Sequence, residues 1–129
     1  MDPSDIVVSV ETTFVPKQSN PAKKHYVYFY TITISNTSDT VCQLLSRHWV
    51  IQDANRKVEE VYGEGVVGEQ PIIEPGASYT YSSGAVLETE MGTMEGRYFM
   101  VWKIPHQNDL IEFEATIPRF ILSVPRTLH

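Results

Sequence analysis

"YGEGVVGEQPIIEPG", residues 62–76, decides between two architectures. Gly63, Gly65 and Gly68 stand at the G-x-G-x-x-G spacing of a loop that cradles a dinucleotide pyrophosphate. That chemistry needs three parts together: a strand that delivers the glycines, glycines that let the backbone approach the phosphates, and a helix whose N-terminus supplies positive potential. The strand is present in "RKVEEVY" (56–62). The helix is not, because "EQPIIEPG" sets Pro71 and Pro75 in a short β-type stretch. Glu59, Glu60, Glu64 and Glu69 flank the glycines and repel phosphates unless a cation intervenes. The dinucleotide fold is therefore rejected, and the glycines read as a tight connection between two β segments that needs φ > 0. A backbone nest for an anion, with a divalent cation bridged by the glutamates, is the ligand-binding alternative for this loop.

Outward from the loop the chain alternates instead of following a helical period. In "DIVVSVETTF" (5–14), Ile6, Val8, Val10, Thr12 and Phe14 share one face. "HYVYFYTITIS" (25–35) places Tyr26, Tyr28, Tyr30, Ile32 and Ile34 in one row and Val27, Phe29, Thr31 and Thr33 in the other, as in a central strand. "VCQLLSRHWVIQ" (41–52) is a third strand, turned by "DANRK" into "KVEEVYG". "PIIEPG" (71–76) and "SYTYSSGAVL" (78–87) follow, and "GTMEGRYFMVWKI" (92–104) pairs with "DLIEFEATI" (109–117) as a hairpin. "PRFILSVPRTLH" (118–129) reads as an edge or tail because of its prolines. "AVLETEMGTMEG" (85–96) comes nearest to a helix and supports at most one turn. Roughly seven to eight strands at regular turn spacing predict an all-β sandwich of two antiparallel sheets in one domain spanning 1–129.

Charge excludes whole classes of partner. The 129 residues carry 16 acidic against 10 basic side chains, a net charge of −6. A nucleic-acid surface needs clustered Lys and Arg, and an anionic membrane likewise, so neither is expected as a partner. Lys17, Lys23 and Lys24 form only a local basic spot. No apolar run approaches the ~20 residues of a membrane span. One cysteine, Cys42, rules out an internal disulfide and fits a reducing compartment, so a cytoplasmic location is expected.

Catalytic chemistry finds no constellation. His25, His48, His106 and His129 lie far apart in sequence, and Cys42 and His48 share a strand face about 20 Å apart, so no metal site and no cofactor are expected. Ser82 and Ser83 lack a nucleophile elbow. Arg47 stands out because it falls in the row Val41, Leu45, Trp49, Ile51, taken to face the core. A guanidinium there needs carboxylate or carbonyl partners. Trp49 resembles the buried tryptophan of an immunoglobulin third strand, here without a disulfide beside it, and is expected to pack.

The segments "EGVVGEQPIIEPG", "YTYSSGAVLETEMGTMEGRYFM", "QLLSRHWVIQDAN" and "SVPRTLH" together resemble the ApaG family over nearly all of residues 5–129. The resemblance implies an immunoglobulin- or fibronectin-III-like sandwich and no established enzyme. It also implies an association with divalent-cation homeostasis, namely cobalt resistance and magnesium efflux, and a genetic neighbourhood of diadenosine tetraphosphate hydrolysis. Related domains sit in some F-box proteins and in a protein that binds DNA polymerase delta, as interaction modules. A non-enzymatic protein-binding role is thus expected, with Gly63, Glu64, Gly65, Gly68 and Arg47 as the candidate ligand- or partner-binding residues and segments 63–69 and 82–96 as the presenting surface. Nucleotide or pyrophosphate binding through Gly63–Gly68 is the alternative, and an exposed sheet edge offers a route to a homodimer.

Overall fold

The computed structural model describes residues 1–125; His129 and the end of "SVPRTLH" lie outside the described residues. Eight strands form two antiparallel sheets. The smaller sheet is β1 (Ile6–Phe14), β2 (Tyr26–Asn36) and β6 (Ser78–Leu87), with β2 in the middle as its residues predict. The larger runs β4 (Val58–Glu64), β3 (Val41–Asp53), β7 (Met91–Lys103) and β8 (Leu110–Ser123). The two-residue β5 (Ile72–Ile73) pairs with β3 as well. Among the described residues helical structure is confined to three short 3-10 turns, so the stretch after Gly68 is extended and no helix dipole stands behind the glycines.

The core lies between the sheets. Tyr28, Tyr30, Ile32 and Ile34 of β2 meet Leu44, Trp49, Tyr98 and Met100 from the opposite layer, all buried. The other β2 row is partly buried: Val27 is buried and Phe29 exposed, while half-buried Thr31, Thr33 and Ser35 pair with Ser82, Thr80 and Ser78 by hydroxyl contacts of 2.8, 3.0 and 2.8 Å on the outer face. Trp49 packs edge-on to Tyr30 and Phe120, at 5.6 and 5.9 Å between centroids, which confirms its packing role. The "SNTSDT" turn is organised by buried Asn36, whose amide donates to the carbonyls of Thr40 and Ile73 at 2.8 and 3.0 Å.

Two features depart from simple alternation. The pairing of β3 with β7 slips between Leu44 and Ser46, a bulge at Leu45. Before it Cys42 and Leu44 face the core; after it Arg47, Trp49 and Ile51 do. The predicted single row Val41, Leu45, Trp49, Ile51 is therefore correct only beyond the bulge. Cys42 and His48 lie on opposite faces of the strand, not on one. Likewise β8 does not stop at Ile117: it continues through Pro118 by a slip opposite Glu95, which an edge strand tolerates because no neighbour needs the missing N–H. Beside that slip Gly96 lets β7 approach β3, and a Cβ there would fall 2.1 Å from the His48 carbonyl oxygen.

Candidate functional site

β4 and β5 pair with the same edge of β3, one with Ser46–Gln52 and the other with Cys42–Gln43. The glycine loop spans the gap between them and is fastened to the Leu45 bulge. The Leu45 carbonyl accepts from the Gly65 amide at 2.8 Å and from Gln70 Nε2 at 2.9 Å, while the Leu44 amide donates to the Pro71 carbonyl at 3.0 Å. At its tip Val66 and Glu69 exchange both backbone bonds, at 2.8 and 3.0 Å. Val67 (φ 48°) and Gly68 (φ 79°) are the two central residues, both left-handed as a type I′ turn demands.

Each glycine of the pattern has a separate structural task. Gly65 is left-handed at φ 61°, and a Cβ there would meet the Glu69 carbonyl oxygen at 2.2 Å. Gly68 needs its φ of 79° and has open space around it. Gly63 has no unusual φ; a Cβ on it would lie 2.8 Å from the guanidinium carbon of Arg47. The guanidinium rests flat against that bare backbone, and its Nη1 donates to the carbonyls of Glu64 and Gly65 at 3.1 and 2.6 Å. Arg47 thus has the carbonyl partners its position calls for, and they come from the glycine loop itself. The amides of Gly65, Val66 and Glu69 are committed to protein carbonyls, which leaves the tip amides of Val67 and Gly68 outward. This geometry does not favour a phosphate cradle.

The acidic residues around the loop do not converge. On β4, Glu59, Val61 and Gly63 stand opposite Ile51, Trp49 and Arg47 on the inward row, so Glu60 and Tyr62 point outward. Among the described residues no group of three or more His, Cys, Asp or Glu side chains is placed to hold a metal ion. Glu60 instead meets His48: Nε2 contacts its Oε1 at 3.2 Å, Nδ1 accepts from Arg97 Nε at 3.3 Å, and the ring stacks on Tyr62 at 4.1 Å. An accepting Nδ1 places the imidazole proton on Nε2, and the network, set on the outer face by the Leu45 bulge, continues from Arg97 to Glu114 at 3.2 Å. Cys42 is fully buried, and burial pushes its thiol up to about 11, so it is a packing group with little thiolate.

Of the two segments expected to present a surface, 63–69 closes one end of β4, while 82–96 runs along β6, through a turn at the other end of β4, and into β7. The turn after β6 sits beside the β3–β4 reversal, where Lys57 Nζ reaches Glu88 at 3.3 Å and Thr89 Oγ1 accepts from the Ala54 amide at 3.0 Å. The glycine loop closes the other end. Between them Ser83–Val86 of β6 and Arg47, Trp49 and Val61 line a cleft of about 460 Å³. Nothing in the sequence marks this cleft, because it arises from the relative widths of the two sheets.

The model of the ApaG domain family matches residues 16–102. The chain belongs to that family. Protein ApaG of Nitrosospira multiformis is 51% identical over 125 residues, covering 97% of this chain and 94% of the relative. Protein ApaG of Thiobacillus denitrificans is 52% identical over 124 residues, covering 96% and 94%. The crystal structure of the ApaA protein from Bordetella pertussis superposes with a TM-score of 0.88 at 45% identity, covering 95% of this chain and 96% of that one. The strand order completes the fold assignment made from sequence. The fourth strand pairs with the third, as an immunoglobulin C′ strand does, leaving the first, second and sixth as the opposing sheet. No helix among the described residues is long and apolar enough to cross a membrane.

Proposed function

We propose that this ApaG-family chain is a non-enzymatic protein-binding module of the cytoplasm that uses the glycine loop as one contact. One observation carries the reading. Val67 is 63% exposed and is held at φ 48°, where a β-branched side chain is strained, while its neighbour Val66 is fully buried and anchors the loop. An exposed apolar side chain in that conformation costs the fold roughly 1–2 kcal/mol and contributes nothing to its core. Strain of this kind is found where a contact surface is displayed. The tie to cobalt resistance and magnesium efflux implied by the family resemblance then runs through the partner, since Glu59 and Glu60 sit on opposite faces of β4 and Glu69 lies beyond it in the turn.

Val67→Asn tests the reading with two opposed readouts. Asparagine adopts the left-handed region readily, so the variant is expected to gain about 1 kcal/mol of stability in urea denaturation. In cross-linking capture from cell extract it should lose a partner that the parent chain retains. An unchanged set of captured proteins would count against the loop.

A further inference from the structure

The two sheets differ in width on one side. β6 is the last strand of the smaller sheet, whereas β4 carries the larger sheet one strand beyond β3. A constant-type immunoglobulin domain sets its fourth strand beside the strand equivalent to β6. Here that strand has joined the other sheet, so the slot beside β6 is vacant and the inward row of β4 forms its floor. The cleft of about 460 Å³ lies in this slot, and a recess of about 330 Å³ extends it past Ile51, Glu59 and Val86 towards the Lys57–Glu88 pair, with Lys23, Lys24 and His25 also lining it.

The four sheet edges are not equally protected. β1 carries Glu11, β4 carries Glu59, Glu60 and Glu64, and β8 carries Glu112, Glu114 and Arg119 with Pro118 at its slip. Charges, prolines and irregular pairing are the usual means of blocking strand addition. β6 has none of them: "SYTYSSGAVL" is uncharged and free of proline, and its register with β2 is unbroken from Ser35↔Ser78 to Tyr26↔Leu87. Its outer N–H and C=O groups are open to another strand.

We infer that β6 and the cleft accept one extended peptide segment of a partner protein, added antiparallel to β6, with basic, apolar and acidic side chains at successive inward positions. The floor dictates the order. Its rows are Ile51 with Glu59, Trp49 with Val61, and Arg47 with Gly63, spanning ~13 Å from Glu59 to Arg47. Among the described residues neither Arg47 nor Glu59 takes part in an ion pair, and Nε and Nη2 of Arg47 make no hydrogen bond. The later part of β6, Val86 and Leu87, shares the recess with Glu59, so an antiparallel segment meets Glu59 first and Arg47 last. The guanidinium offers its free N–H fork to a carboxylate.

The inference rests on the binding-module reading, and the test keeps the two apart. The probe is a synthetic nonapeptide with Lys, Val and Glu at its third, fifth and seventh positions and Thr elsewhere, added to isotope-labelled protein up to about 1 mM. Saturable shifts of the amides from Thr80 to Val86 are expected. A peptide with Lys and Glu exchanged should bind about 10-fold more weakly, because it sets like charges against Glu59 and Arg47. Glu59→Lys, a change at an exposed position, should weaken the first peptide and improve one carrying Glu at both the third and seventh positions. No shift on β6, or equal affinity for the exchanged peptides, overturns the inference, as do β6 shifts that follow protein concentration without peptide. A failed peptide alongside a Val67→Asn variant that sheds its partner sinks the cleft and leaves the module reading standing.

Discussion

Gly65→Ala is expected to cost about 3 kcal/mol, roughly 10 °C in Tm, while Gly68→Ala costs about 1 kcal/mol. Both positions are left-handed, at φ 61° and 79°, so both substitutions carry the conformational penalty. Only Gly65 adds a collision, with backbone: the Glu69 carbonyl oxygen at 2.2 Å and its carbon at 2.9 Å. Relief would require opening the Val66–Glu69 turn and withdrawing the loop from Leu45 and Arg47. Urea denaturation of the two variants measures the difference. Equal losses would mean that φ alone, and not the fold of the loop onto itself, fixes the glycine at 65.

The second large effect lies where the sheets meet. Tyr81 of β6 and Tyr98 of β7 share a hydroxyl contact of 2.6 Å, and Tyr98 is fully buried. Burial raises the phenol of Tyr98 far above its ordinary range, and burial likewise raises that of Tyr81. Either single Tyr→Phe change leaves one buried hydroxyl without its partner and is expected to cost about 1–3 kcal/mol; the double change removes both groups and should cost less than the sum of the singles. The pH dependence has a definite sign. Phenols whose folded pKa lies above the unfolded value of about 10 contribute their full stability below pH 10 and lose it as pH rises further. The slope is about 1.4 kcal/mol per pH unit for each phenol. Thermal melts between pH 9 and 11 should show this decline in the parent chain and a shallower one in the Tyr81→Phe/Tyr98→Phe protein. Identical slopes would show that these phenols titrate outside the core.

Much of the fold was legible because its signals are local. The alternation of Tyr26 to Ile34 announced a central strand, and Pro71 and Pro75 forbade the helix that a phosphate loop requires. The bulge at Leu45 was not legible. "QLLSRHW" alternates plausibly in one register, and the slip is tied to a residue pair twenty and more positions away, Gly65 and Gln70, which both claim the Leu45 carbonyl. One inserted residue reverses every side chain on its N-terminal side, which is why simple alternation gives the right face for Arg47 and the wrong one for Val41 and Leu45. The candidate site followed the same division. The glycine motif and Arg47 are separate signals in the sequence, and the structure joins them: Arg47 holds the Glu64 and Gly65 carbonyls, with Gly63 kept bare for the guanidinium. The cleft beside β6 depends on which sheet β4 joins, a choice that no short stretch of sequence encodes.

The glycine run is a hydrogen-bonded turn built around Arg47, with its amides directed inward except at the tip. Titration of isotope-labelled protein with ATP and Mg²⁺, followed at the amides of Gly65 to Glu69, tests this most directly. Flat chemical shifts across the loop are the predicted result. A saturable, magnesium-dependent movement of the Gly65, Val66 and Glu69 amides would contradict it, because those donors would then have left Leu45 and the turn to hold a phosphate.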